Sequence, residues 1–189
     1  MKKDAQYDNY VKFVEKIIKN GYAQWVPNNE VNNPNAFYLP NHGVYHPRKP
    51  GKIRVVFDAS AKCNNISLND ALLQGPDLTN SIVGVLTRFR EEKVAFMGDI
   101  TAMFHQVKVP KVQHDYLRFL WWPNGNLSTE LEEYRMGVHI FGAVSSPAIA
   151  NYALKFTADN ANKKFGDIVS STIMRNFYVD DLLKSVPTE

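Results

Sequence analysis

The amino-acid sequence predicts a mixed α+β fold, and three observations carry that prediction. First, 44% of the 189 residues are hydrophobic and 12% are aromatic, enough for a packed core and too much for a disordered chain. Second, three segments repeat apolar residues at helical spacing: residues 7–20, 78–90 and 145–165. Third, the short runs "IRVVFD", "KVAFMGDI" and "YLRFLWW" are β-branched or almost continuously apolar, as buried strands are.

The elements follow in order. In residues 7–20, Tyr7, Tyr10, Val11, Val14, Ile17 and Ile18 fall on one helix face, and Gly21 supplies a stop. The stretch "PNNEVNNPNAFYLPNHGVYHPRKPGK" is rich in Asn, Pro and Gly, so it predicts loops around short extended pieces at 36–39 and 43–46. A strand is expected at 53–58, then irregular structure through "SLNDALLQGPDL". The helix at 78–90 places Leu78, Ile82, Leu86 and Phe89 on one side. Residues 93–100 read as a buried strand ending in a charge, and 116–122 as a strand closed by a Pro-Asn-Gly turn. The helix at 145–165 can be capped by Ser145 or Ser146, and Pro147 suits its first turn. The chain closes on a predicted hairpin with strands near 173–178 and 182–186.

Composition excludes several functional classes. Cys63 is the only cysteine, so neither a disulfide framework nor a cysteine-ligated zinc site is available, and the five histidines lack metal-binding spacing. No apolar run approaches the ~18 residues of a membrane span, and the N-terminus is charged and polar. The expectation is a reduced, intracellular protein with no membrane partner, in which the Asn65-Ile66-Ser67 and Asn126-Leu127-Ser128 triplets are incidental. A net charge of +3 permits a nucleic-acid partner without requiring one.

The informative residues are at the end. In "NFYVDDLLKS", Asp180 and Asp181 sit at a bend between strongly apolar flanks. A hydrated polar hairpin tip is one reading, since aspartate tolerates turns. Against it, the bend has no glycine or asparagine, and two carboxylates at the edge of a buried sheet repel unless a cation neutralises them. A hard divalent ion fits such oxygen ligands. Asp99 ends the apolar run 93–99; it is either a cap for the next segment or a third ligand. Paired cations held by such carboxylates serve phosphoryl transfer by clamping the attacking and leaving oxygens.

Four segments together resemble the reverse-transcriptase family. Tyr178-Val179-Asp180-Asp181 resembles its Tyr-x-Asp-Asp signature. "MGDITAMFHQV", whose Asp99 lies 81 residues before Asp180, resembles the first catalytic motif, in which a bulky aromatic follows the Asp by five residues, as Phe104 does. "FGAVSSPAIAN" resembles the Ser-Pro segment that opens the long palm helix, and "KIRVVFDASAK" the fingers strand with a triphosphate-binding arginine. The wording further resembles the polymerase of BEL/Pao-type LTR retrotransposons from about residue 36 to the C-terminus.

The resemblance implies an α+β fold of fingers and palm, the palm an antiparallel sheet packed on helices and incomplete at its C-terminal side. It implies fingers at 1–78 and 108–145 and partial palm at 79–107 and 146–189, with thumb and RNase H absent. Asp99, Asp180 and Asp181 would be catalytic and would hold two Mg²⁺ or Mn²⁺ ions, joined by the backbone carbonyl of Ile100. Arg54, with Lys52 or Lys49, would meet the triphosphate, as would the amides of Ala102 and Met103. Phe104 would exclude a 2′-hydroxyl; plain core packing is its other reading. Phe141 stands where many relatives carry a glutamine that contacts nucleotide or template. The implied partners are a template-primer of RNA or DNA, dNTP substrate and further polyprotein domains, in a cytoplasmic retrotransposon particle. Two alternatives stand beside an active polymerase. One is an inactive transposon-derived fragment that binds nucleic acid. The other is an RNA-dependent RNA polymerase, which Phe104 argues against.

Overall fold

In the computed structural model the backbone is described for residues 2–46 and 49–188, and side chains for these residues except 2–5, 46 and 49–52. The elements in chain order are α1 (Lys2–Lys19), β1 (Ala23–Trp25), β2 (Asn41–His46), β3 (Lys49–Phe57), α2 (Leu68–Ala71), α3 (Ile82–Arg88), β4 (Val94–Asp99), β5 (Arg118–Trp121), β6 (Glu132–Met136), α4 (Ser146–Phe165), α5 (Asp167–Asn176), β7 (Phe177–Tyr178) and β8 (Asp181–Val186). They fall into two compact units, Met1–Leu73 with Lys108–Val144 and Gln74–Val107 with Ser145–Glu189.

The first unit holds an antiparallel sheet in the order β1-β6-β5 and the antiparallel hairpin β2-β3. Its core joins Val14 and Ile17 of α1 to Leu39, Phe57, Phe119, Trp121, Tyr134 and Met136. Phe119 meets Phe57 edge-on at 5.2 Å and stacks on Tyr134 at 5.7 Å, geometries that aromatic quadrupoles favour. On β6, Tyr134 and Met136 face inward while Glu133 and Arg135 join an ion network. At its centre is Arg118, 0% exposed, bonded to Asp115, to Glu133 at 2.7 Å and to the carbonyls of Glu30 and Val31. Arg135 adds bonds to Glu30 and Asp115. Burial alone would raise the Asp115 pKa; hydrogen bonds from Arg118, Arg135 and Asn33 outweigh that and hold it below the usual carboxylate value. The network ties the Asn- and Pro-rich loop before residue 36 to the sheet.

The second unit holds the antiparallel sheet β4-β8-β7 with helices α3, α4 and α5. Short polar side chains fasten the sheet to its helices. Ser185 Oγ donates to the Arg88 carbonyl at 3.0 Å and accepts from the Glu92 amide at 3.2 Å. Asn176 donates to the Leu183 carbonyl at 3.1 Å, and Asn80 to the carbonyls of Met174 and Phe177.

The fold departs from the sequence reading at five places. Residues 94–99 form the expected strand β4, but it is an edge strand and every residue after Val94 is exposed rather than buried. The expected strand at 173–178 is mostly the last part of α5; only Phe177 and Tyr178 pair with β8. Asp167 in the first turn and Arg175 in the last complement the helix dipole, and packing on β8 outweighs the β preference of Ile173 and Thr172. Residues 68–71 form a helix, because Ser67 and Asp70 close a reciprocal capping box. β1 and β6 are strands that the sequence pattern does not announce: one is very short, and the other is rich in charges that the ion network satisfies.

Candidate metal centre

The carboxylate cluster belongs to the second unit and is built by sheet register. β4 pairs with β8 from Val94↔Val186 to Asp99↔Asp181, so these two aspartates are direct cross-strand partners. Asp180 lies in the two-residue bend between Tyr178 and Asp181, which are themselves paired. Its carbonyl accepts a hydrogen bond from the Ile100 amide at 2.9 Å, which locks the bend to the end of β4. One oxygen from each of Asp99, Asp180 and Asp181 lies within 4.8 Å of the others. Among the described residues, none of the three has a salt-bridge partner.

The bend itself is strained. Val179 has φ +57°, a left-handed conformation in which its branched Cβ crowds the backbone. Glycine or asparagine is favoured at such a hairpin position. Retaining valine there costs on the order of 1–3 kcal/mol, and strain of that kind gathers at functional sites.

The segment after β4 turns sharply. Ala102 is left-handed (φ 52°, ψ 48°) and opens a 3₁₀ turn over Met103–Gln106. Met103 is buried at 5% exposure, while Phe104 is half-buried. His105 is buried too, and desolvation lowers its pKa to about 4, so the ring is neutral near pH 7.

The remaining sequence candidates lie in the first unit. Arg54 is exposed on β3, on the face opposite Ile53 and Val55. Phe141 is 44% exposed beside Gly142, whose carbonyl accepts from Asn69. Gly142 has φ +115°, and a Cβ there would lie 2.2 Å from the Phe57 carbonyl oxygen, so only glycine fits. The Lys52 and Lys49 side chains lie outside the described residues. The sequence reading missed the Ile100–Asp180 lock and the Ser185 and Asn176 anchors. Single serines and asparagines give no periodic signal from which to find them.

No protein-family model matches this sequence, and no curated protein matches it. Solved structures do match. With its helices and antiparallel sheets in place, the fold is similar to that of part of a reverse transcriptase. One such structure is the foamy viral protease-reverse transcriptase in complex with double-stranded DNA, at a TM-score of 0.62 and 19% sequence identity. The match covers 91% of this chain and 24% of the viral one, so the chain spans about a quarter of that protein's length.

Proposed function

We propose that this chain is the fingers and partial palm of a reverse transcriptase from a BEL/Pao-like LTR retrotransposon, a piece of a larger polyprotein that performs template-directed DNA synthesis. The observation that carries the reading is the convergence of Asp99, Asp180 and Asp181 within 4.8 Å at the end of a sheet. In this assignment the first unit is fingers and the second is palm.

The donor set fits the metal that the reading implies. Three carboxylates supply only hard oxygen ligands, which suit Mg²⁺ or Mn²⁺, and their mutual repulsion is relieved by a divalent cation. Two such ions, when bound, supply charge neutralisation at the reacting phosphate and lower the pKa of the attacking hydroxyl. The protein's own contribution is positioning. The strand-end lock between Ile100 and Asp180 fixes the carboxylates before substrate arrives. In the reaction the primer 3′-hydroxyl forms a bond to the α-phosphorus of a dNTP, and the bond to pyrophosphate breaks.

Arg54 is the group proposed to take phosphate oxygens through its guanidinium, with Lys52 beside it in sequence. The sharp turn at Ala102 turns the chain toward Met103, so backbone amides there are available to phosphate while the Met103 side chain fills the core. Phe104, half-buried rather than fully packed away, retains the exposed ring surface that a steric gate against a 2′-hydroxyl needs. In this reading exposed Phe141 would offer an apolar surface to nucleotide or template, and Tyr178 and Val179 would touch the primer end.

The test is single-nucleotide addition to a preformed primer–template. Slow Mg²⁺-dependent incorporation of dNTP by the chain, abolished in Asp180→Asn, supports the reading. Incorporation that survives Asp180→Asn undiminished contradicts the site. Nucleic-acid binding without any incorporation favours a non-catalytic fragment.

A further inference from the structure

One cavity lined by described residues shares no residue with the acidic cluster. It lies within the first unit, between α1, the β2-β3 hairpin and the chain from β5 to residue 131. Its volume is about 800 Å³, within the ~300–1,000 Å³ range of small-molecule sites.

Aromatic rings make its walls. Tyr10 stacks on Trp121 at 5.2 Å and 15°, and Trp122 meets Trp121 edge-on at 5.7 Å. Tyr38, Leu120, Leu127 and Leu131 edge the cavity with 40–58% of their surface exposed, an apolar concentration that isolated surface residues do not produce. The polar groups that reach it are neutral. The Tyr10 hydroxyl donates to Asn41, the Tyr45 hydroxyl lies near the Gln6 carbonyl, and no charged side chain is among the described lining residues. Burial pushes the Tyr10 phenol up to about 12, so this hydroxyl stays a neutral donor. At Gly43 a Cβ would come within 2.6 Å of Ile53 Cδ1 and 3.4 Å of Tyr10 Cδ2, so these two side chains fill the space over the glycine at one edge of the cavity.

We infer that this cavity is a binding site for an uncharged, planar aromatic small molecule, held by ring contacts and by neutral hydroxyl and amide groups. The site is independent of the polymerase reading. An occupant would touch Gly43 and Ile53 and brace the β2-β3 hairpin.

The test uses the whole chain and a pair of probes, neutral 2-naphthol and anionic 2-naphthoate, followed by NMR at pH 7. The site predicts saturable shifts confined to residues around 6–10, 38–45, 53 and 120–131. Binding of 2-naphthol should be at least tenfold tighter than that of 2-naphthoate. It should weaken at least tenfold in Leu127→Glu/Leu131→Glu, whose substituted positions are exposed and whose fold is checked by circular dichroism. Amide exchange across 41–57 should slow when 2-naphthol is bound. Equal affinity for the two probes, shifts absent or scattered beyond the cavity, or undiminished binding in a folded double variant would each overturn the inference. So would capture of an extended apolar peptide with no binding of 2-naphthol, which would mark a polypeptide groove.

Discussion

The two units spend their side chains differently. The first closes an aromatic core around Phe119 and seals it with the buried Arg118 network. The second concentrates three carboxylates at one sheet end, with no ion-pair partner for them among the described residues. Where the first unit satisfies its charges in pairs, the second collects like charges and a strained valine. On the proposed reading, the contrast separates a part built for stability from a part arranged to hold a cation.

Substitutions should expose that contrast. Phe119→Ala removes a ring at 1% exposure and should cost about 3–5 kcal/mol in urea unfolding. Arg118→Ala should cost a similar ~3–5 kcal/mol, because Asp115 and Glu133 then lose their shared cation. Met97→Ser, on the exposed second-unit strand, should change stability by less than ~0.5 kcal/mol. Equal losses at Phe119 and Met97 would erase the distinction between the units.

Acid should act on both units through different groups. His105 has a folded pKa near 4 against about 6.5 unfolded. The unfolded chain therefore binds more protons between those values, and stability should fall as pH drops from about 6.5 to 4. The loss should be of order 1–3 kcal/mol at most and should vanish in a folded His105→Gln. Asp115, held below the ordinary carboxylate value, contributes stability above about pH 4 that disappears only under stronger acid. Unfolding measured at steps of pH separates the two windows.

A smaller effect, of opposite sign, is expected at the bend. Val179→Gly releases left-handed strain but loosens the unfolded chain, so a net gain of about 1 kcal/mol is expected by thermal or urea unfolding. A clear loss instead would show that Val179 is held by contacts rather than against its preference.

Much of this was legible in the sequence because the relevant signals are periodic or local. The long helices α1 and α4, the existence of strand β4 and the Asp-Asp bend follow from apolar spacing and from unusual neighbours, although β4 is exposed where its apolar run predicts burial. Four short segments carry the resemblance to the reverse-transcriptase fold, and the structure bears out that fold class. What was not legible depends on partners distant in sequence. α5 is helical because β8 and its neighbouring helices receive it, and β6 is a strand because Arg118 satisfies its Glu133 while Glu30 and Asp115 satisfy its Arg135. The cavity in the first unit needed three separated segments to come together.

The central claim is that the three aspartates form one divalent-cation site, and Mn²⁺ titration of the isotope-labelled chain tests it most directly. The account predicts paramagnetic broadening centred on residues 99–100 and 178–181, reversed by excess Mg²⁺ and weakened at least tenfold in Asp180→Asn. Broadening that is absent there, or unchanged by Asp180→Asn, would contradict it.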